Sequence, residues 1–339
     1  MANAARPAAP DVDRFRWLAL TASLITYLLI VVGAIVRVTG SGPGCGGHWP
    51  LCNGQFFPPL TSWPVFIALS HRILVALAAP LIFGTAWAAW RSFRRVRWIV
   101  WPALLALAQF AIQVLLGAAT VATALSPAIV AIHLASALLA LAFLLIVTVV
   151  AFQLKNDPRL GDSLLYFDAV SRQVGIAALG VYALIVTGAL VTANRAGAAC
   201  EGWPLCSGSL APDTVSGLWH MGHRYASGVV GVMLAVSVAQ AWRLRRENAP
   251  VVVAATVTGL SFGGQVVVGA QDVLHGLPAV LNGLHVALAA AVWAGMVVFA
   301  VLAMQYVRLS PLKFAVPASA RAQPGWMAAF AAHFIKLRP

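Results

Sequence analysis

The sequence predicts an all-α polytopic membrane protein: eight transmembrane helices forming two tandem four-helix bundles, related by a pseudo-two-fold axis along the membrane normal. Three observations predict it. Of 339 residues, 61% are hydrophobic and only 9% charged, against roughly 25% charged in a soluble domain. Eight continuous apolar stretches are long enough to cross a bilayer. The second half of the chain repeats the first. This composition excludes a disordered chain, a secreted disulfide scaffold and an ordinary cytosolic enzyme. Continuous rather than alternating runs exclude a β-barrel.

A spanning helix takes about 20 mostly apolar residues. The first candidate, 17–38, follows a polar tail at 1–16. It has the length of a span, and no small-residue cleavage site precedes the next polar loop, so no cleaved signal peptide is expected. Spans 64–90 and 98–121 flank a short basic loop, and 127–152 completes the first repeat. A linker at 153–169 leads to the second repeat, 170–306, with spans 170–193, 217–242, 250–271 and 279–306. A tail at 307–339 follows. Its segment GWMAAFAAHFIKL, from Gly325, with Lys336 and Arg338 beside it, has the composition of an interfacial helix.

Basic residues set the orientation. Eighteen of the 22 Lys and Arg fall in the two tails and in alternate connections: Arg6, Arg14 and Arg16; Arg91, Arg94, Arg95 and Arg97; Lys155, Arg159 and Arg172; Arg243, Arg245 and Arg246; and Arg308, Lys313, Arg321, Lys336 and Arg338. The other connections hold only Arg195, while Arg37, Arg72 and Arg224 lie within or at the ends of spans. The positive-inside rule places both termini in the cytoplasm and the first, third, fifth and seventh loops outside; a bacterial cell membrane is the expected location. The net charge of +13 is thus accounted for by topology, and nucleic acid is not an expected partner.

All four cysteines lie in those outward loops. Cys45 and Cys52 bracket GGHWPL, and Cys200 and Cys206 bracket EGWPL. On the oxidising side, each pair within one short loop predicts an intraloop disulfide, either a structural pin or a labile redox bond. Zinc would need four ligands gathered from two loops.

The repeat is explicit. YLLIVVGAIVRVTGSGPGCGGHWPLC from Tyr27 aligns with YALIVTGALVTANRAGAACEGWPLC from Tyr182. SHRI at Ser70 matches GHRY at Gly222, QVLLGA at Gln113 matches QVVVGA at Gln265, and IHLASALLA at Ile132 matches LHVALAAAV at Leu284. Of the eight histidines, only His71 with His223 and His133 with His285 are kept in both copies. Each lies about two helical turns, roughly 10 Å, into its span from the outer side. An ionisable group at that depth marks a functional site. Two imidazoles facing each other across a bundle can ligate haem iron axially. Two ligands per half are too few for zinc or copper. Plain interhelical hydrogen bonding is the competing structural reading.

Arg72 and Arg224 follow the histidines in both copies, placed to pair a haem propionate or to snorkel to the interface. Gln113 with Gly117, and Gln265 with Gly269, recur in the third spans. There glycine permits close approach of a ring or of another helix. All nine Asp and Glu are expected outside the spans, which argues against ion-coupled transport.

These features together resemble the heme A synthase family: two four-helix repeats, a CxxxxxxC loop, a CxxxxxC loop and an HR…H pair in each half, from about Arg16 to Met304. The resemblance implies oxidation of the position-8 methyl of haem O to a formyl group, giving haem A for cytochrome oxidase assembly. It implies that His71 and His133 flank the substrate haem as catalytic residues, and that His223 and His285 ligate a haem b iron cofactor. It also implies disulfides Cys45–Cys52 and Cys200–Cys206, the first with a redox part. One position departs from the family. A glutamate usually stands three residues before the first-half histidine, and here it is Ala68; His220 occupies the equivalent place in the second half. Ser70 and His48 are the polar groups that could stand in for it, and neither is a convincing replacement.

Ala68 keeps two alternatives in view: a di-haem b-type electron-transfer cytochrome, and a non-catalytic haem-binding assembly factor. The implied partners are haem O, a haem O synthase, cytochrome oxidase assembly, membrane lipid and an unidentified electron donor. A homo-oligomer is compatible with the sequence.

Overall fold

The computed structural model describes residues 11–156 and 167–313, with side chains through residue 305. The outer parts of both tails, the centre of the linker and the segment from Gly325 lie outside the described residues. The described chain is all-helical: α1 Val12–Val38, α2 Trp63–Ser92, α3 Arg97–Ala122, α4 Pro127–Asn156, α5 Ala169–Ala193, α6 Val215–Leu244, α7 Ala249–Leu274 and α8 Ala279–Lys313. All eight are long and apolar enough to cross a membrane. Each contains an expected span.

Local chemistry sets the ends. Asp11 caps α1, its side chain accepting from the Arg14 N–H at 3.1 Å. Asp168 caps α5 in a reciprocal capping box with Ser171, and Thr214 accepts from the Gly217 N–H at the start of α6. Proline in the first turn of α2 and α7 costs no helical hydrogen bond.

One expectation is corrected. Asp272 was expected beyond a span ending at 271, but α7 continues to Leu274 and no breaker intervenes before Gly276, at φ 73°. Asp272 is therefore inside the helix, 6% exposed, with Oδ1 lacking a hydrogen-bond partner. Asp13 also falls inside a helix, in the first turn of α1, where a negative charge complements the helix dipole.

Packing within the halves is alike. In the first, α1 contacts α2 and α4, and α3 contacts α2 and α4; α5–α8 repeat those pairs. The halves meet through α1 with α8, α4 with α5, and α4 with α8. These helix pairs map onto themselves when α1–α4 are exchanged with α5–α8. Two tyrosines, equivalent in the repeat, cross the seam: the Tyr27 hydroxyl donates to the Ala287 carbonyl at 3.2 Å, and Tyr182 to Ala135 at 3.1 Å. Of the eight helices, α4 and α8, which meet at the seam, are the most enclosed, with 56% and 50% of their spans buried against 17–33% for the other six.

Candidate haem-binding site

His71 stands eight residues past Trp63, the first residue of α2, and His223 eight past Val215 on α6. His133 and His285 each stand six residues past the starts of α4 and α8. At 1.5 Å per residue these depths are about 12 Å and 9 Å. The spacing expected from sequence is thus reproduced in both halves.

A cavity of about 700 Å³ occupies the first half, within the range of small-molecule and cofactor sites. His71 and His133 line it from α2 and α4, with Gly33, Arg37, Ala68, Arg72, Gln113 and Gly117. Its wall is mostly apolar, and no Asp or Glu lines it among the described residues. The Nδ1 atoms of both histidines and the Gln113 Nε2 are buried without hydrogen-bond partners. Ala68 is 6% exposed and packs with Cys45, Cys52, Val65 and Leu69. Ser70 cannot replace an acid there, because its hydroxyl donates to the Phe66 carbonyl at 2.8 Å. His48 is exposed in the loop.

Each of the four histidines rests against a glycine. A Cβ built on Gly33 would stand 3.1 Å from His71 Cε1, and one on Gly188 3.0 Å from His223 Cε1. At Gly117 and Gly269 the distances to Cε1 of His133 and His285 are 3.8 and 2.7 Å. The recurring third-span glycines thus face the imidazoles. Gly33 and Gly188 were not singled out from sequence, although the aligned repeat carries both. In the second half the rings are also tethered: His223 Nδ1 lies 2.8 Å from Thr187 Oγ1, and His285 Nδ1 lies 3.1 Å from Gln265 Nε2.

The arginines do more than snorkel. Arg72 donates to the carbonyls of His48 at 3.0 Å, Pro50 at 3.3 Å, and Leu51. Arg224 donates to Pro204 and Leu205, both at 3.1 Å, and its Nη2 is 3.3 Å from His220 Nε2. Each therefore clamps the loop bearing its half's cysteines to the turn that carries the histidine. Both pairs, Cys45–Cys52 and Cys200–Cys206, are disulfide-bonded, and no cysteine is free among the described residues. Arg37, near the end of α1, lines the large cavity and also a 230 Å³ cavity with Val38, Leu277, Ala279 and Asn282.

A haem fits this arrangement. Two imidazoles line one apolar cavity, the glycines leave the space that the rings fill, and the cavity rim supplies cations but no anion. A multidentate metal cage does not fit, because no three His, Cys, Asp or Glu side chains gather among the described residues.

Comparison with known proteins agrees with this chemistry. The COX15-CtaA family model, described as cytochrome oxidase assembly protein, matches residues 16–218 and 214–337. A heme A synthase of Bacillus cereus (strain 03BB102) is 35% identical over 245 residues, covering 71% of this chain and 78% of the relative. A heme A synthase of Bacillus mycoides (strain KBAB4) is 36% identical over 223 residues, 65% and 71% of the two chains.

Proposed function

The chain belongs to the COX15-CtaA family of cytochrome oxidase assembly proteins, and from that premise we propose that it is a multi-pass membrane oxidoreductase of the heme A synthase type. It oxidises the position-8 methyl of haem O to a formyl group by successive hydroxylations, giving haem A. The first repeat, 17–152, receives the substrate, and the second, 170–306, holds haem b. The observation that carries this reading is the 700 Å³ first-half cavity lined by His71 and His133.

His71 and His133 hold the substrate from α2 and α4, while the apolar wall keeps water from the reacting methyl. Arg72, which lines the cavity, meets a propionate as well as bracing the loop; Arg224 does the same in the second half. A propionate and a loop carbonyl are both acceptors, which suits a guanidinium with several donors. Haem b, when bound by His223 and His285, supplies one-electron transfer. The basic connections lie on the cytoplasmic side and the disulfide loops on the outer face of a bacterial cell membrane. A haem O synthase upstream and cytochrome oxidase assembly downstream complete the setting.

The test is coexpression with a haem O synthase, followed by haem extraction and chromatography. Haem A or its hydroxylated intermediate supports the assignment. Unchanged haem O, with haem bound in both halves, overturns it.

A further inference from the structure

The two halves place their histidines alike but tether them differently. In the second half, Thr187 Oγ1 lies 2.8 Å from His223 Nδ1 and 2.7 Å from the Leu184 carbonyl. A hydroxyl has one proton. Given to the carbonyl, which can only accept, it leaves the oxygen to accept from Nδ1–H. His223 is then the tautomer with its lone pair on Nε2, the form in which an imidazole ligates a metal. On the facing helix, Gln265 Nε2 lies 3.1 Å from His285 Nδ1 while its Oε1 is buried without a partner; turning the amide over would let Oε1 accept from Nδ1–H and give His285 the same tautomer.

In the first half neither Nδ1 has a hydrogen-bond partner, although both atoms are buried. For His71 the missing side-chain partner traces to one residue. A Cβ built on Gly33 or Gly188 would stand at nearly equal distances, 3.1 and 3.0 Å, from Cε1 of His71 or His223. The residues preceding those glycines are therefore equivalently placed. One is Thr187 and the other Val32. Valine has the shape of threonine but offers no acceptor. Gln113, the counterpart of Gln265, leaves both its own Nε2 and His133 Nδ1 unpartnered.

We propose that Thr187 is a positioning residue that makes the second-half haem resident, and that Val32 keeps the first-half histidine loose enough to take up haem and release it changed. The inference rests on the substrate and cofactor halves assigned above. A hydrogen bond on the far nitrogen fixes ring orientation and raises ligand basicity, and its loss typically costs about 10- to 100-fold in metal affinity. A cofactor that stays benefits from that tether. A substrate that must leave as product does not.

The experiment measures transfer of haem from the purified holoprotein to excess apomyoglobin, together with low-spin EPR g-values. Thr187→Val should speed haem b loss about 10- to 100-fold and shift the g-values, whereas Thr187→Ser, which keeps the hydroxyl, should retain both. Val32→Thr should slow first-half haem release by a similar factor and leave the second-half signal unchanged. If Thr187→Val does not fold, Val32→Thr decides alone. Wild-type transfer rates and g-values in Thr187→Val, or a wild-type release rate in Val32→Thr, overturn the inference. A b-type signal that survives His223→Ala instead overturns the cofactor assignment beneath it.

Discussion

Replacing Gly33 by alanine tests the glycine cradle most sharply. The new Cβ would lie 3.1 Å from His71 Cε1, whereas alanine at Gly117 would lie 3.8 Å from His133 Cε1. Carbon atoms rest at about 3.5–4.0 Å, so Gly117→Ala makes an ordinary contact and Gly33→Ala requires the imidazole to retreat by about half an ångström. Without haem nothing opposes that retreat at Nδ1, which has no partner. On the proposed assignment, bound haem would hold the ring in place through its iron. Overpacking costs about 1–3 kcal/mol, so first-half haem affinity should fall about 5- to 140-fold at 1.4 kcal/mol per tenfold. Both substitutions also exchange a helical glycine for alanine, which favours the helix by about 1 kcal/mol. Apo Gly33→Ala should therefore unfold no more readily than the wild type. Haem titration read at the Soret band, paired with thermal unfolding of the apoprotein, measures both quantities. Equal haem affinity in the two variants, or loss of the fold along with haem in Gly33→Ala, would refute the cradle.

Removing His223 or His285 to alanine should abolish the low-spin b-type signal in difference spectra, because a residue that would ligate haem b is lost; retention of that signal in both variants contradicts the assignment. Ala68→Glu puts a carboxylate one helical turn from His71 in the cavity wall, and should raise the haem A yield on extraction while leaving the second-half spectrum unaltered. No rise over an already active wild type would show that the site uses another group, and no oxidised product from either form would overturn the synthase reading. Burial pushes the Asp168 carboxyl up, but hydrogen bonds from Ser171 and the charge and hydrogen bond of Arg245 outweigh it and hold the group below its ordinary 3.8. Its contribution to stability is therefore complete above about pH 4 and is lost as pH falls through the lower folded value. Asp168→Asn, which keeps a capping side chain, should flatten acid unfolding in that window, and an unchanged acid profile counts against it.

Most of the scaffold was legible because a spanning helix announces itself by length and hydropathy alone. The expected spans differ from the helices mainly at their ends. There capping by Asp11 and Thr214 extends a helix beyond its apolar window, as does the run through Asp272 to Leu274. Duplication made the four histidines legible, since it separated His71, His133, His223 and His285 from the unpaired ones. Hidden from sequence was what touches them. Gly33 and Gly188 sit in α1 and α5, far along the chain from the rings they touch, and glycines abound in apolar helices. Thr187 against Val32 reads as a conservative exchange until a ring nitrogen is seen beside the hydroxyl. Arg72 and Arg224 were expected to face a propionate or water; their bonds to the loop carbonyls depend on the backbone path of GGHWPL and EGWPL, which no residue spacing reveals.

The first-half cavity is not walled by its own repeat alone: Ala189 and Thr192 of α5 and Val286 of α8 also line it. Val286 follows His285 directly in the chain. On the proposed assignment, the residue that ligates the resident iron is covalently joined to one that touches the substrate chamber. A shift or rotation of α8 would therefore be felt on both sides of the seam at once, at His285 and in the wall of the first-half cavity.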